Sequence, residues 1–352
     1  MRSKLYGRIW GFDSDITLSS VQNLLALNYQ ESIGYLAGRN DLKLSVRDST
    51  LMHHWSDTSS VKTYTTQTKH GSEKIRYFTA KGNFETAVPS TSAFTDEEQT
   101  TLLSRERRVY EHESHVIFLQ KAERLYSIVY GNNAAEKVRS ILMGNGFTTR
   151  RKTAWGKIDT RLAQYSLSSD FFYWAFHKQQ NNAPISTSYG NVSISDVEGM
   201  GRLSERNQHN TKGTGSHCIE EISNKSALGI NQTIYESDFF FSIASIQLVL
   251  NLKAQAECVI DVCRSLILNP QNGQFDGIQG REDEVFLKLY LEVIPGLLGA
   301  YNGEISKNTW TNSQAIQAQK DWALEVIEDL GRHHNLQIQD ITSLSYFGGS
   351  GD

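Results

Sequence analysis

The stretch HVIFLQKAERLYSIVYG, residues 115–131, constrains the fold more than any other part of the chain. Two short apolar runs, rich in aromatic and β-branched side chains, flank Lys121-Ala122-Glu123-Arg124, which is the pattern of a hairpin with its turn near those four residues. Gly131-Asn132-Asn133 supplies the backbone freedom for a second turn. After it, Ala134, Val138, Leu142 and Ala135, Ile141 recur near one helical face, with Asn133 placed as the N-cap. A helix N-terminus after a strand can hold an anion. This loop, however, lacks the G-x-x-x-x-G-K-[ST] and G-x-G-x-x-G spacings that wrap a phosphate in backbone amides, so the turn reads as structural.

The remaining segments extend the pattern. KLYGRIWGF suits a strand, and DSDITLSSVQNLLALNYQESIGYL leads from a capped turn into a helix. KLSVRD, KTYTTQT and EKIRYFTA are strand-like, and the polar run at 89–101 reads as a surface loop entering a helix. Beyond the aromatic cluster DFFYWAFHK, residues 179–216 are dominated by Asn, Gly, Ser and Thr and read as a polar insertion of long, mobile loops. IQLVLNLK has strand period, whereas AECVIDVCRSLIL places Cys258, Val262, Ile267 and Val259, Leu266 at near-helical spacing until Asn269-Pro270 stops it. REDEVFLKLYLEVIPGLLGAYNG and NSQAIQAQKDWALEVIEDLGRHH are amphipathic, with a break at Pro295 and a terminator at Gly331.

The expected fold class is α+β: an antiparallel-sheet body with a polar insertion and a mainly helical C-terminal region. Three consecutive segments follow. They are an N-terminal α+β domain at 1-145, a second α+β domain with a basic segment and the insertion at 146-275, and an acidic helical region at 276-352.

Hydrophobic residues make up 39% of the chain and charged residues 21%, with 4 prolines, which describes a chain able to bury a core and not a disordered one. No apolar run approaches the ~18 residues of a spanning helix, and MRSKLYGRIWGF lacks a signal-peptide centre. A cytoplasmic protein without membrane insertion is expected. The cysteines, Cys218, Cys258 and Cys263, lack C-x-x-C spacing, so neither a disulfide framework nor a zinc knuckle is indicated.

The net charge of −4 is spread unevenly. Residues 276–352 hold 5 Lys+Arg against 12 Asp+Glu, which leaves 30 against 27 in residues 1–275. Within the body, residues 137–161 concentrate Lys137, Arg139, Arg150, Arg151, Lys152, Lys157 and Arg161 against one acid, Asp159, with Phe147 and Trp155 interleaved. Such a segment can meet a phosphate backbone through point charges while its aromatic residues pack or stack. Arg202, Arg206 and Lys212 in the polar insertion form a second basic set. The competing reading is a solvated basic face beside an acidic tail.

A metal-dependent nuclease would need acids, often with a lysine, converging on a metal-bound water. Asp276, Glu282, Asp283, Glu284 and Lys288 are the candidates, yet Glu284 and Lys288 have the i,i+4 spacing of a surface ion pair and no E-x-K accompanies them. His53-His54 and His333-His334 are adjacent pairs whose side chains diverge in strand or helix. His209, His217 and Cys218 in HNTKGTGSHC are better spaced for a metal but lack a fourth ligand. No G-x-S-x-G is present. No catalytic residue, metal ligand or cofactor is assigned.

The hairpin HVIFLQKAERLYSIVYG, the helix after it ending in LMGNGF, and the later SIQLVLNLKAQAECVIDVCRSLILNPQNGQFDGIQ resemble the RexA phage-exclusion proteins of lambdoid prophages. More loosely, the chain is similar to the KwaB component of the Kiwa defence system. The resemblance covers residues 116–283 and carries over no DNA-contacting residue. It implies a non-enzymatic, homodimeric protein that binds duplex DNA largely without sequence preference and acts with a membrane-protein partner against phage. A metal-dependent nuclease and a protein-interaction subunit without nucleic-acid binding are the alternatives. Leu287, Leu291, Ile294, Leu298, Trp322, Val326 and Leu330 exceed what one short helical pair can hide, so they are expected to make much of a homodimer interface, with packing on the chain's own body as the alternative.

Overall fold

The computed structural model describes residues 3–13, 15–69, 71–144, 155–204, 209–243 and 245–342. The protein is α+β, built of antiparallel strands, with its C-terminal region helical. Its chain forms two compact units interleaved in sequence. The first comprises Met1–Tyr165, Ala256–Cys263 and Gly277–Val293, and the second Ser166–Gln255, Arg264–Asp276 and Ile294–Asp352. These bounds differ from the consecutive segments 1-145, 146-275 and 276-352, because stretches far apart in sequence complete each core.

In the first unit the antiparallel sheet runs in the spatial order Cys258–Asp261, Lys4–Phe12, Arg124–Gly131, Val109–Lys121, Gly71–Ala87, Thr50–Ser56 and Tyr29–Ser32. The expected hairpin forms, with Lys121 opposite Arg124 and Ala122 left-handed at φ 52 in its turn. One sheet face carries Trp10, Phe12, Phe78, Phe84, Phe118 and Val129 in a core shared with Trp155 and the Leu18–Leu25 helix. A capping box starts that helix: Ser20 N–H donates to Thr17 Oγ1 and Thr17 N–H to Ser20 Oγ.

Side chains alternate along a strand, so Gly7 and Tyr130 lie on the opposite sheet face. There the helix Glu282–Lys288 and the π turn Leu289–Val293 pack, with Phe286 stacked on Tyr130 at 4.6 Å and Tyr290 donating to Ala256 O at 2.8 Å. Gly7 makes room for Phe286. A methyl at Gly7 would collide with the Phe286 ring and lie 2.8 Å from Cys258 Sγ. Gly7→Ala is therefore expected to lower the unfolding free energy by about 1–3 kcal/mol, the usual penalty of overpacking, as read from a denaturant titration.

In the second unit antiparallel strands run in the order His209–Thr214, Gly190–Ser204, Thr233–Ile243 and Ile246–Lys253. DFFYWAFHK lies in the helix Ser169–Gln180, begun by Ser168, whose hydroxyl accepts from Phe171 N–H. Phe171 to Phe176 are all buried, and a helix apolar all round must be covered on every side. Phe172 and Phe176 meet Phe239 of the sheet, whereas Phe171 and Trp174 meet Tyr301 and Tyr173 meets Trp322 on the helices Ile294–Ser306 and Asn312–His334. The helix is the middle of three layers.

Several sequence expectations are corrected. AECVIDVCRSLIL is not helical but forms the strands Cys258–Asp261 and Leu266–Leu268 around a turn. Ala256, Cys258, Ile260 and Val262 are buried alternately, a period of two that the coincident helical spacing masked. The polar insertion at 179–216 is largely strand, Ile185–Thr187, Gly190–Ser204 and His209–Thr214. Bulges between Ile194 and Asp196, Val197 and Gly199, and Gly201 and Arg202 break its alternation and concealed it. KLSVRD contains the short helix Val46–Ser49, because Ser45 caps it by accepting from Asp48 N–H. The helix at Ala135–Lys137 has Ala134, not Asn133, at its N-cap. The last long helix passes Gly331 and ends at Asn335, which is left-handed.

Of the seven residues expected at a dimer face, Leu287, Leu291, Ile294, Leu298 and Trp322 are buried within the chain itself, whereas Val326 is half-buried and Leu330 is 39% exposed.

Candidate functional site

Of the basic residues singled out in the sequence, Lys137, Arg139, Lys157 and Arg161 lie in the first unit, and Arg202 and Lys212 in the second. Arg150, Arg151, Lys152 and Arg206 lie outside the described residues. Lys137 ends the helical turn Ala135–Lys137, where the buried Ala134 and Val138 face the core and leave the lysine outside. Trp155 anchors the following stretch, with its ring 5.9 Å from that of Trp55 and 5.8 Å from that of Phe118. Two backbone bonds then hold the chain: Lys157 N–H donates to Asp13 at 3.0 Å and Arg161 N–H to Asp159 at 3.1 Å. Lys137, Lys157 and Arg161 are exposed, and none has an ion-pair partner among the described residues.

Of the other three, Arg139 and Lys212 are compensated by carboxylates, and Arg202 is hydrogen-bonded to neutral groups. Arg139 lies 2.5 Å from Glu136, a carboxylate that also takes Arg8. Arg202 donates to Thr211 Oγ1 at 3.1 Å and to Asn224 Oδ1, and burial pulls its guanidinium below the ordinary arginine value against the opposing effect of Cys218. Lys212 Nζ sits 3.0 Å from Asp238 and 3.1 Å from Glu236. Burial would lower its pKa, but those two carboxylates outweigh burial and raise it. A lysine shared by two carboxylates offers a phosphate no net charge, so Lys212 drops out as a contact, whereas the partners of Arg202 are neutral.

Three of the acids weighed for a nuclease are engaged elsewhere. Asp276 accepts from Asn269 Nδ2 at 2.8 Å, Asp283 from the Tyr130 hydroxyl, and Glu284 from Arg281 Nη2 at 2.7 Å. Lys288 lies 3.9 Å from Glu292, so the surface pair expected between Glu284 and Lys288 is replaced by one on either side. Among the described residues no three His, Cys, Asp or Glu converge as a metal ion requires. His217 is turned toward Asp196, with Nδ1 3.3 Å from its carboxylate, and burial pushes the Cys218 thiol up.

A charged network that sequence reasoning missed surrounds Glu85, which borders a pocket of about 410 Å³ with His54, Asn83 and Glu113. Its carboxylate accepts from Met52 N–H, Arg47 and Arg105. Beside it, His112 Nε2 lies 2.8 Å from Thr86 Oγ1, and burial, then the charge of Lys137, hold this imidazole below its ordinary value. Glu85 is saturated by its donors and serves the fold. No sequence signal could have found it, because its partners are 20 to 38 residues away. No protein-family model and no curated protein matches the chain.

Proposed function

We propose that this chain is a non-enzymatic duplex-DNA-binding protein of the phage-exclusion kind, acting in the cytoplasm, whose first unit grips the phosphate backbone without reading sequence. The observation that carries this proposal is the exposure of Lys137, Lys157 and Arg161 without a counter-ion among the described residues. They stand on the two flanks of residues 145–154, whose sequence adds Arg150, Arg151 and Lys152. An uncompensated cation can displace condensed counterions from DNA, whereas a paired one must first break its pair. Charge favours the same unit: it carries 25 Lys+Arg against 23 Asp+Glu, and the second unit 10 against 16. A homodimer and a membrane-protein partner, implied by the resemblance to RexA, belong to the same proposal. Any second copy would use surface other than the buried Leu287, Leu291, Ile294, Leu298 and Trp322.

Fluorescence anisotropy with labelled duplexes of unrelated sequence, across a salt series, tests this. Wild-type affinity is expected to be alike for all duplexes and to fall linearly in log K against log salt. Changing Lys137, Lys157 and Arg161 together to Ala should weaken every duplex equally and reduce the slope by up to about 2.7, at roughly 0.9 per lost contact. Lys212→Met should leave the slope as it is. A folded triple variant with unchanged affinity and slope overturns the proposal.

A further inference from the structure

The helix Asn312–His334 has two unlike sides. On one, Ala318 and Trp322 are buried, and the helix Ile222–Gly229 covers it: a methyl at Gly229 would fall 3.0 Å from Ala323 Cβ, and Lys225 sits 2.8 Å from Glu325 and 3.7 Å from Asp329. The other side is open. Of the 14 large apolar side chains exposed among the described residues, six lie between residues 316 and 338, and Leu324 among them is 61% exposed. Single exposed apolar residues need no explanation, but a contiguous set marks a surface that another molecule covers.

The spacing suits a second helix. Ile316, Lys320, Leu324, Ile327 and Gly331 follow one another at steps of four, four, three and four, which keeps them in one stripe along the helix. A stripe of this period receives the matching ridge of another helix. Charge then narrows the choice. Asp321, Glu325, Glu328 and Asp329 stand against Lys320 and Arg332, a balance that disfavours anionic lipid and nucleic acid alike. Lys320 is exposed with no ion-pair partner among the described residues, and Glu328 is engaged by Arg332 in a pair exposed on both sides, the kind worth little. Eight residues separate Lys320 from Glu328, about 12 Å along the helix, too far to pair within one chain. Two copies running antiparallel about an axis near residues 325 and 326 bring each Lys320 toward the other copy's Glu328 and set Leu324 against the other's Ile327. Parallel copies would set Lys320 against Lys320.

We propose that this open side is where a second copy of the chain docks, the two Asn312–His334 helices packing antiparallel. The interface rests on the homodimer proposed with the DNA-binding function and not on the DNA contact, which is in the other unit.

Sedimentation equilibrium of the full chain over a concentration series tests it. A monomer–dimer equilibrium is expected. Leu324→Glu with Ile327→Glu should weaken the dimer at least about tenfold, the scale of residues central to an interface. Both side chains are exposed, so circular dichroism should show folding retained. Lys320→Glu and Glu328→Lys should each weaken the dimer, and the two together should restore it toward wild type, a rescue that no contact within one chain can imitate. A dimer unmoved by the folded Leu324 and Ile327 variant, or charge reversals without rescue, overturns this interface and leaves the homodimer standing. A chain that is monomeric at every concentration overturns both, and flotation of that monomer with phosphatidylglycerol vesicles would assign the face to lipid instead. The salt slope of the Lys137, Lys157 and Arg161 variant decides the DNA contact separately.

Discussion

Glu85→Leu is expected to lower the unfolding free energy by about 3–5 kcal/mol, the range for breaking a buried ion pair from one side. Glu85 is only 5% exposed, and its carboxylate takes Arg47 Nη2 at 2.7 Å, Arg105 Nη2 at 2.6 Å and Met52 N–H at 2.7 Å. Leucine would leave Arg105 largely buried without its carboxylate and Met52 N–H without an acceptor. Burial pushes the Glu85 carboxyl up, but Met52 N–H, Arg47 and Arg105 together outweigh burial and hold it below the ordinary glutamate value. Because the folded value is the lower one, the unfolded chain binds more protons in acid. The stabilisation is full above roughly pH 4.3 and is lost as the pH falls through the folded value. Denaturant titrations at neutral and strongly acidic pH check this: the gap between wild type and variant should shrink in acid. A gap of equal size at both would show that the ionised carboxylate is not what holds this corner.

Phe286→Ala is expected to cost about 3–5 kcal/mol, the usual range for emptying a buried phenylalanine site. Phe286 is fully buried and stacks on Tyr130 at 4.6 Å and on Tyr290 at 6.5 Å. Its ring also fills the space over Gly7, which makes the two positions interdependent. In the Phe286→Ala background the cavity accepts a methyl, so Gly7→Ala should cost less there than in wild type. The double-mutant cycle measures that difference directly, and strictly additive costs would show that Phe286 does not pack over Gly7.

What could be read ahead of the structure was local. The hairpin at 115–131, the strand Lys4–Phe12 and the capped helix Leu18–Leu25 were legible because apolar period, turn residues and capping act within a few residues. Arg139 had a local signal too. Glu136, three residues before it, is the spacing of a helical ion pair and marks that arginine as compensated. The Lys212 pairing had no such signal, since Glu236 and Asp238 reach it only from another strand.

The same division explains the segments that were misread. In AECVIDVCRSLIL both periods fit the residues, and the choice fell to the Lys4–Phe12 strand, which pairs Leu5 with Ile260 and Gly7 with Cys258 across about 250 residues of chain. A polar pocket in the second unit joins His177 to Asp321 and Glu325, which lie 144 and 148 residues further along the chain. By itself the sequence determined the α+β class, the hairpin and the positions of the basic residues, because these depend on composition and on the geometry of neighbouring residues. Tertiary structure alone decided which cations meet a carboxylate from a distant strand, which strands form in the polar insertion and which acids share a pocket. Each of those depends on side chains brought together from distant stretches, and no pattern within a short window records such a meeting.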